Sequence, residues 1–260
     1  MDLGLKDKRV LVTGGNSGLG AAIARAFAAE GARVAINYLV NPKQSDALVE
    51  EFTATGGEAL QLMADISDPQ AVERMFSEID DAWGGIDVLV NNAGIDGVHA
   101  LGWEADADVW GRVVDINLKG TFLCAREALK RMVAQRSGVV LNTTSVHEVI
   151  AWAGYSAYTA SKAGVSMMSK SLAQEAAPYG VRILCIAPGA IRTPINQAVW
   201  QDPEGYRDLL TKIPLGRIGE PEDVAKIAIM LASDAASYIT ATTIFVDGGM
   251  TDYPSFAHGG

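Results

Sequence analysis

The stretch "VLVTGGNSGLGAAIARAF" constrains this chain more than any other. A β-branched run, a turn with spaced glycines and an alanine-rich helical pattern follow one another without a break. Gly14, Gly18 and Gly20 permit a tight turn and let backbone N–H groups approach a pyrophosphate at the start of a helix. The spacing is G-x-x-x-G-x-G, and a glycine cluster alone is often only a turn. Here the strand before it, the helix after it and a further strand-like run ending at Tyr38 complete a βαβ unit, the context in which such a turn binds a dinucleotide.

The same alternation continues along the chain. Apolar runs stand at "RVLVTG" (9–14), "RVAINY" (33–38), "EALQLMAD" (58–65), "IDVLVNNAG" (86–94), "GVVLNTTS" (138–145), "VRILCIAPG" (181–189) and "TTIFVDGG" (242–249), with amphipathic or alanine-rich stretches between them. Near-continuous apolar strands joined by helical crossovers predict a parallel sheet covered on both faces. Gly31, Gly84 and Gly180 stand where helices should stop, and Pro69 and Pro221 where helices should open. With no linker or repeat, the expectation is a single doubly wound α/β (Rossmann) domain over residues 1–260, with about seven strands. The segment 189–221 has no strong element of its own and begins just past the carboxyl end of a strand, where open α/β sheets bind ligands. It reads as a substrate-covering flap within that domain.

Composition excludes several classes of function. A formal net charge of −10 argues against a nucleic-acid partner, which needs a basic patch to displace counterions. No apolar run reaches the roughly 18 residues of a membrane span. The start "MDLGLKDKRVLVTGG" lacks the apolar core and cleavage site of a signal peptide. Cys124 and Cys185 lie in apolar contexts as buried thiols, which suits a reducing cytoplasm. His99, His147 and His258 are scattered, so no metal site is expected.

A ribose-binding carboxylate is expected about 20 residues after the glycines. Tyr38 and Leu39 stand there instead. No acid repels a 2′-phosphate and no arginine grips one; Lys43 can be read as reaching it or as simply solvated, so NAD and NADP both stay open. Asp65 can be read as an acceptor for the adenine amine or as a solvated loop acid.

"YSAYTASK" poses a chemical question. Of its two tyrosines, only Tyr158 has a lysine four residues on, which on a helix puts both side chains on one face, roughly 5–6 Å apart at Cβ. A free phenol, with a pKa of about 10, is a poor base near neutral pH. The Lys162 charge one turn away, together with an oxidised nicotinamide, favours the phenolate; a shift of two to three units needs roughly 3–4 kcal/mol. Tyr158 is therefore expected to exchange the proton that accompanies hydride transfer. Ser145, ending a strand run, can hydrogen-bond the substrate oxygen. Tyr155 lacks a lysine at that distance and is assigned to the pocket wall.

Taken together, "TGGNSGLG" (13–20), "NNAG" (91–94), Asn117 in "DINLKG", Ser145 in "NTTSVHE", "YTASK" (158–162) and "APGAIRTP" (187–194) resemble the short-chain dehydrogenase/reductase family, in family order from about residue 7 onward. The resemblance implies a catalytic set of Ser145, Tyr158, Lys162 and Asn117. Lys162 would also hold the nicotinamide ribose, and Asn117 a water linking Lys162 to solvent. It places the cofactor against Gly14, Asn16, Ser17, Gly18, Leu19 and Gly20 in the first turn. Tyr38, Asp65, Ile66, Asn91, Ala93 and Gly94 would lie toward the adenosine. Pro188, Gly189, Ile191 and Thr193 would lie beside the nicotinamide, with Thr193 on the carboxamide. It also implies a homotetramer, paired through the helices after Ala107 and around Tyr158, with the tail "YPSFAHGG" reaching another subunit.

Within the family the chain is most similar to bacterial glucose 1-dehydrogenases, in "SVHEVIAW" (145–152), "PGAIRTPIN" (188–196) and "DGGMTDYPSF" (247–256). That implies oxidation of an aldose at C1 to the lactone, with His147, Glu148 and Asn196 as polar groups for sugar hydroxyls; for His147 and Glu148 a solvated loop is the competing reading. Leu39 where those enzymes carry arginine, and a proline-free "HEVIAWAG", keep a reductase of bulky ketones or of 3-oxoacyl thioesters open. A non-catalytic dinucleotide sensor would be expected to lose the tyrosine or the lysine, and both are present.

Overall fold

The structure is a computed structural model that describes residues 2–194 and 197–252. Seven strands form one parallel sheet: β1 (Arg9–Val12), β2 (Arg33–Tyr38), β3 (Ala59–Met63), β4 (Val88–Asn91), β5 (Gly138–Thr143), β6 (Val181–Pro188) and β7 (Thr243–Val246). Their order is β3-β2-β1-β4-β5-β6-β7, so the chain reverses direction across the sheet between β1 and β4. Because every pair is parallel, all carboxyl ends lie on one edge, and the reversal opens a crevice there.

The helices are α1 (Gly18–Ala29), α2 (Pro42–Ala54), α3 (Pro69–Trp83), α4 (Ala107–Val114), α5 (Thr121–Gln135), α6 (Ser156–Ala176), α7 (Gln197–Gln201), α8 (Pro203–Leu210) and α9 (Pro221–Ala232). Side chains of a strand alternate between faces, which divides the core in two. Val10 and Val12 join Ile23 and Phe27 of α1 and Val224 and Leu231 of α9. Leu11 between them joins Met75, Phe76 and Ile79 of α3 and Met132 of α5 on the other side. Pro69 and Pro221 begin their helices as expected, as do Pro42 and Pro203. Gly31, Gly84 and Gly180 take left-handed φ values of 76°, 73° and 75° where helices end. Both cysteines are buried and free. Among the described residues, no helix is long and apolar enough to cross a membrane, and no cluster of three metal-ligating side chains forms.

Two features bear directly on function. Between α4 and α5 the helix widens into a π-turn, Asp115–Gly120, a type of irregularity frequent at functional sites. The segment expected as a flap folds into α7 and α8 on a clasped neck: Arg192 N donates to Gly219 O, Gly219 N to Ala190 O, and Arg192 pairs with Glu220.

Candidate active site

The turn after β1 is shaped by what cannot fit in it. A Cβ on Gly20 would run into the Gly14 carbonyl oxygen and the Asn92 amide, and one on Gly14 would sit 3.0 Å from the Ala93 Cα. Gly14 and Gly18 take φ of 59° and 50°, conformations natural to glycine. Ser17 caps α1 in an extended conformation without a side-chain hydrogen bond, and the first turn of α1 holds no acid. Its N–H groups and positive helix end are thus left for an anion. These features fit the pyrophosphate of a dinucleotide.

Side-chain amides brace this turn from below, and the sequence had no spacing by which to announce them. Asn37 Oδ1 accepts from Gly14 N at 3.3 Å, while its Nδ2 donates to the Leu62 and Ala64 carbonyls. Thr13 Oγ1 accepts from the backbone N–H groups of Asn92 and Ala93, and Asn92 Nδ2 donates back to Thr13 O and Gly14 O. Asn16 donates to the Val40 and Asn41 carbonyls, tying the loop after β2 to the glycine turn. Tyr38 is half-buried at the end of β2, and Leu39 beside it is 52% exposed.

Two candidates at the adenosine end carry internal partners that the sequence did not announce. Asp65 accepts from Ser67 N and Oγ and from Arg112 Nη2 at 2.9 Å. Although burial raises it, those hydrogen bonds from Ser67 and Arg112 hold it below the usual carboxylate range. Asn91 is buried, its amide donating to Asn142 Oδ1 at 2.8 Å and to Thr121 O. Its Nδ2 braces β4 against β5 and α5, while its Oδ1 is buried with no hydrogen-bond partner among the described residues. Ile66 and Ile191 are also buried, Ile191 bridging to Gly219. Gly189, after β6, lies where a Cβ would be 2.7 Å from Asp247 Cα, and Thr193 O accepts from Trp200 Nε1. Asn196 and the tail 253–260 lie outside the described residues.

The chemical side is built by α6 against β5. One face of α6, including Ala157, Ser161, Lys162, Val165, Ser166 and Ser169, is buried. Lys162 therefore passes beneath Tyr158: its Nζ lies 5.6 Å from the centre of the Tyr158 ring and donates to Thr143 O at 2.9 Å. Ser145 is buried just after β5, its Oγ accepting from His147 N and standing near enough to the Tyr158 hydroxyl to favour its ionised form. Asn117, in the π-turn, is locked to Ile95 by two hydrogen bonds of 2.8 and 2.7 Å and donates to Ser161 Oγ. A Cβ on Gly94 would be 3.1 Å from Asn117 Oδ1 and 3.6 Å from Lys162 Nζ. Ser145, Tyr158, Lys162 and Asn117 thus converge beside the turn that follows β4.

Their electrostatics show how far the free protein goes toward the expected phenolate. Burial pushes the Lys162 ammonium down to about 8. It also pushes the Tyr158 phenol above its ordinary value; the Ser145 hydroxyl works against that, and Asp96 adds to it. In the free protein, then, a lysine one turn away does not by itself make the phenol acidic. Desolvation disfavours both charged forms, and the larger effect wins.

Around Tyr158 the wall is aromatic. Trp152 stacks with His147 at 4.5 Å and with Tyr155 at 3.9 Å, and Tyr158 stands edge-on to His147 and Trp152. His99 meets Tyr155 edge-on. His147 Nδ1 contacts the Ile150 carbonyl at 3.0 Å, and burial lowers its basicity. Glu148 is turned to Ser166. Asp96, Trp152 and His99 lie in loops, where no helical or strand period places their side chains beside Tyr155 and Tyr158.

Comparison with known proteins agrees with this architecture. A short-chain dehydrogenase family model described as "Enoyl-(Acyl carrier protein) reductase" matches residues 14–251. The chain is 46% identical to 3beta-hydroxysteroid dehydrogenase 1 of Eggerthella lenta, over 98% of each protein. It is 40% identical to glucose 1-dehydrogenase 2 of Bacillus subtilis, over 96% of this chain and 97% of the relative. Among solved structures, levodione reductase superposes with a TM-score of 0.89 at 39% identity, covering 95% of this chain and 99% of the other. The chain belongs to the short-chain dehydrogenase/reductase family, oxidoreductases of alcohol and carbonyl groups that use NAD or NADP.

Proposed function

We propose that the protein interconverts a secondary alcohol and its ketone on a bulky, largely apolar ring skeleton, with Tyr158 as acid/base. The observation that carries this reading is the Ser145–Tyr158–Lys162 cluster set in an aromatic wall. The bound dinucleotide, held at the turn Gly14–Gly20, supplies the hydride acceptor or donor. In the oxidising direction the Tyr158 oxygen removes the carbinol proton. The Ser145 hydroxyl holds the substrate oxygen and fixes which way it points. The Lys162 ammonium stabilises the phenolate and reaches the ribose hydroxyls, with the Thr143 carbonyl orienting it. Asn117 holds the Ile95 backbone and Ser161 in place, and through them the floor beneath Lys162. The α7–α8 segment covers the substrate.

Two of the three polar residues expected to meet sugar hydroxyls make other contacts, His147 with Trp152 and Ile150 and Glu148 with Ser166 through one oxygen. Burying a polyol where its hydroxyls find no partner is costly, so this lining favours a ring with few of them. The 46% identity to a steroid dehydrogenase supports the same reading. Oxidation of an aldose at C1 is the second reading, supported by the 40% identity to a glucose 1-dehydrogenase. NAD(P)H absorbance with steroid alcohols, monocyclic ketones and aldoses, each tried with both dinucleotides, decides between them. Turnover of aldoses alone would reject the apolar reading. We further propose a homotetramer: Val109 and Trp110 of α4 and Phe122 of α5 expose 42, 39 and 38% of their surface, suited to burial between copies. Light scattering at the mass of one chain would contradict it.

A further inference from the structure

Beneath Lys162 lies an ionisable group for which the reaction described so far has no use. Ser166 stands one turn further along α6 and is buried. Its hydroxyl donates to Glu148 Oε1 at 3.0 Å and lies 3.4 Å from Thr243 Oγ1 of β7. Glu148 Oε2 is buried with no hydrogen-bond partner among the described residues. A carboxylate oxygen left so is costly unless a cation compensates it. Lys162, four residues before Ser166 on the same buried face of α6, is the cation at hand. No ion pair within 4 Å joins it to Glu148, which acts on it through space, favouring its charged form.

The other groups around Lys162 do not serve. Cys185 on β6 also faces it, but burial raises that thiol to about 11, so it is neutral at working pH. Tyr158 on α6 is the reacting group itself; Asp96, in the loop after β4, acts on Tyr158, and His147 packs edge-on against it. The Thr143 carbonyl of β5 and the Asn117 amide are uncharged.

We propose that Glu148 is a positioning residue whose carboxylate, held by Ser166 and unpaired on its second oxygen, keeps the Lys162 ammonium charged through turnover. This rests on the Tyr158–Lys162 reading above. In alcohol oxidation the working pair is phenolate and ammonium, so activity falls at high pH as Lys162 loses its proton. Removing the Glu148 charge makes that loss easier, so the alkaline limb moves to lower pH.

The test is the pH profile of kcat/KM for Glu148→Gln, which keeps the side chain's size and its acceptor for Ser166. The alkaline limb is expected to fall by about one pH unit, with thermal unfolding close to that of the parent protein. Should that variant fail to fold, Ser166→Ala, which frees Oε1, is expected to shift the limb the same way by a smaller amount. An alkaline limb unmoved in the folded variant, or a loss of activity equal at all pH values, overturns the proposal. Tyr158→Phe, measured alongside, separates the two levels. If that variant stays active, the parent reading fails. If it is inactive while the Glu148→Gln limb overlays the parent's, only the role of Glu148 fails.

Discussion

The turn after β1 and the inner face of α6 lie on the same carboxyl edge of the sheet and are made of different materials. The turn is backbone: glycines, an uncapped helix start and side-chain amides that hold carbonyls and N–H groups in place. The face of α6 is side chain: a buried lysine, a half-buried phenol and a serine hydroxyl within reach of one another. A backbone site tolerates change at most positions and fails where a Cβ is added. A side-chain site fails when a single functional atom is removed, with the fold intact. One region should therefore lose ligand and stability together, the other turnover alone.

Tyr158→Phe presses hardest on that contrast. It removes one oxygen and is expected to lower kcat roughly a thousandfold or more, with dinucleotide affinity measured by fluorescence kept near that of the parent. A parallel loss of affinity would blur the division. Ser145→Ala should come next, with kcat down by about 10²–10³, the usual cost of losing a donor to a reacting oxygen. On the other side, Gly20→Ala forces a methyl against the Gly14 carbonyl and the Asn92 amide. It is expected to cost about 1–3 kcal/mol of stability in urea unfolding and to weaken dinucleotide binding. Unchanged unfolding and binding would mean that the turn yields more easily than its geometry implies. Tyr155→Phe is the mildest: its ring stacks on Trp152 in either form, so kcat should change by no more than about threefold. A large loss would make Tyr155 a chemical residue.

The same contrast explains what could be read from the chain and what could not. β1, its turn and α1 were legible because a backbone site leaves a local signature: glycines at fixed offsets between a β-branched run and a helical one. Tyr158 and Lys162 were legible because helical spacing brings i and i+4 together. The side-chain partners of Asn91 were not legible for the opposite reason. Its partner Asn142 is 51 residues away in sequence, adjacent only because β4 and β5 pair. Asn37 and Asp96 share that character, each an ordinary polar residue until the sheet order brings it to the site. Trp152, by contrast, is near Tyr155 and Tyr158 in sequence but lies in a loop with no helical period to place its ring. The acidity of Tyr158 was also beyond the sequence, since desolvation depends on how deeply α6 packs, which spacing does not reveal.

At the centre of the account is the claim that a phenol made less acidic by burial becomes a base only once positive charge gathers around it. The near-ultraviolet absorbance of phenolate, taken as the difference between the parent protein and Tyr158→Phe, follows that one group through a pH titration. With oxidised dinucleotide bound, the titration is expected to move well below its position in the free protein. A Tyr158 that titrates at the same pH with and without the dinucleotide would contradict the account.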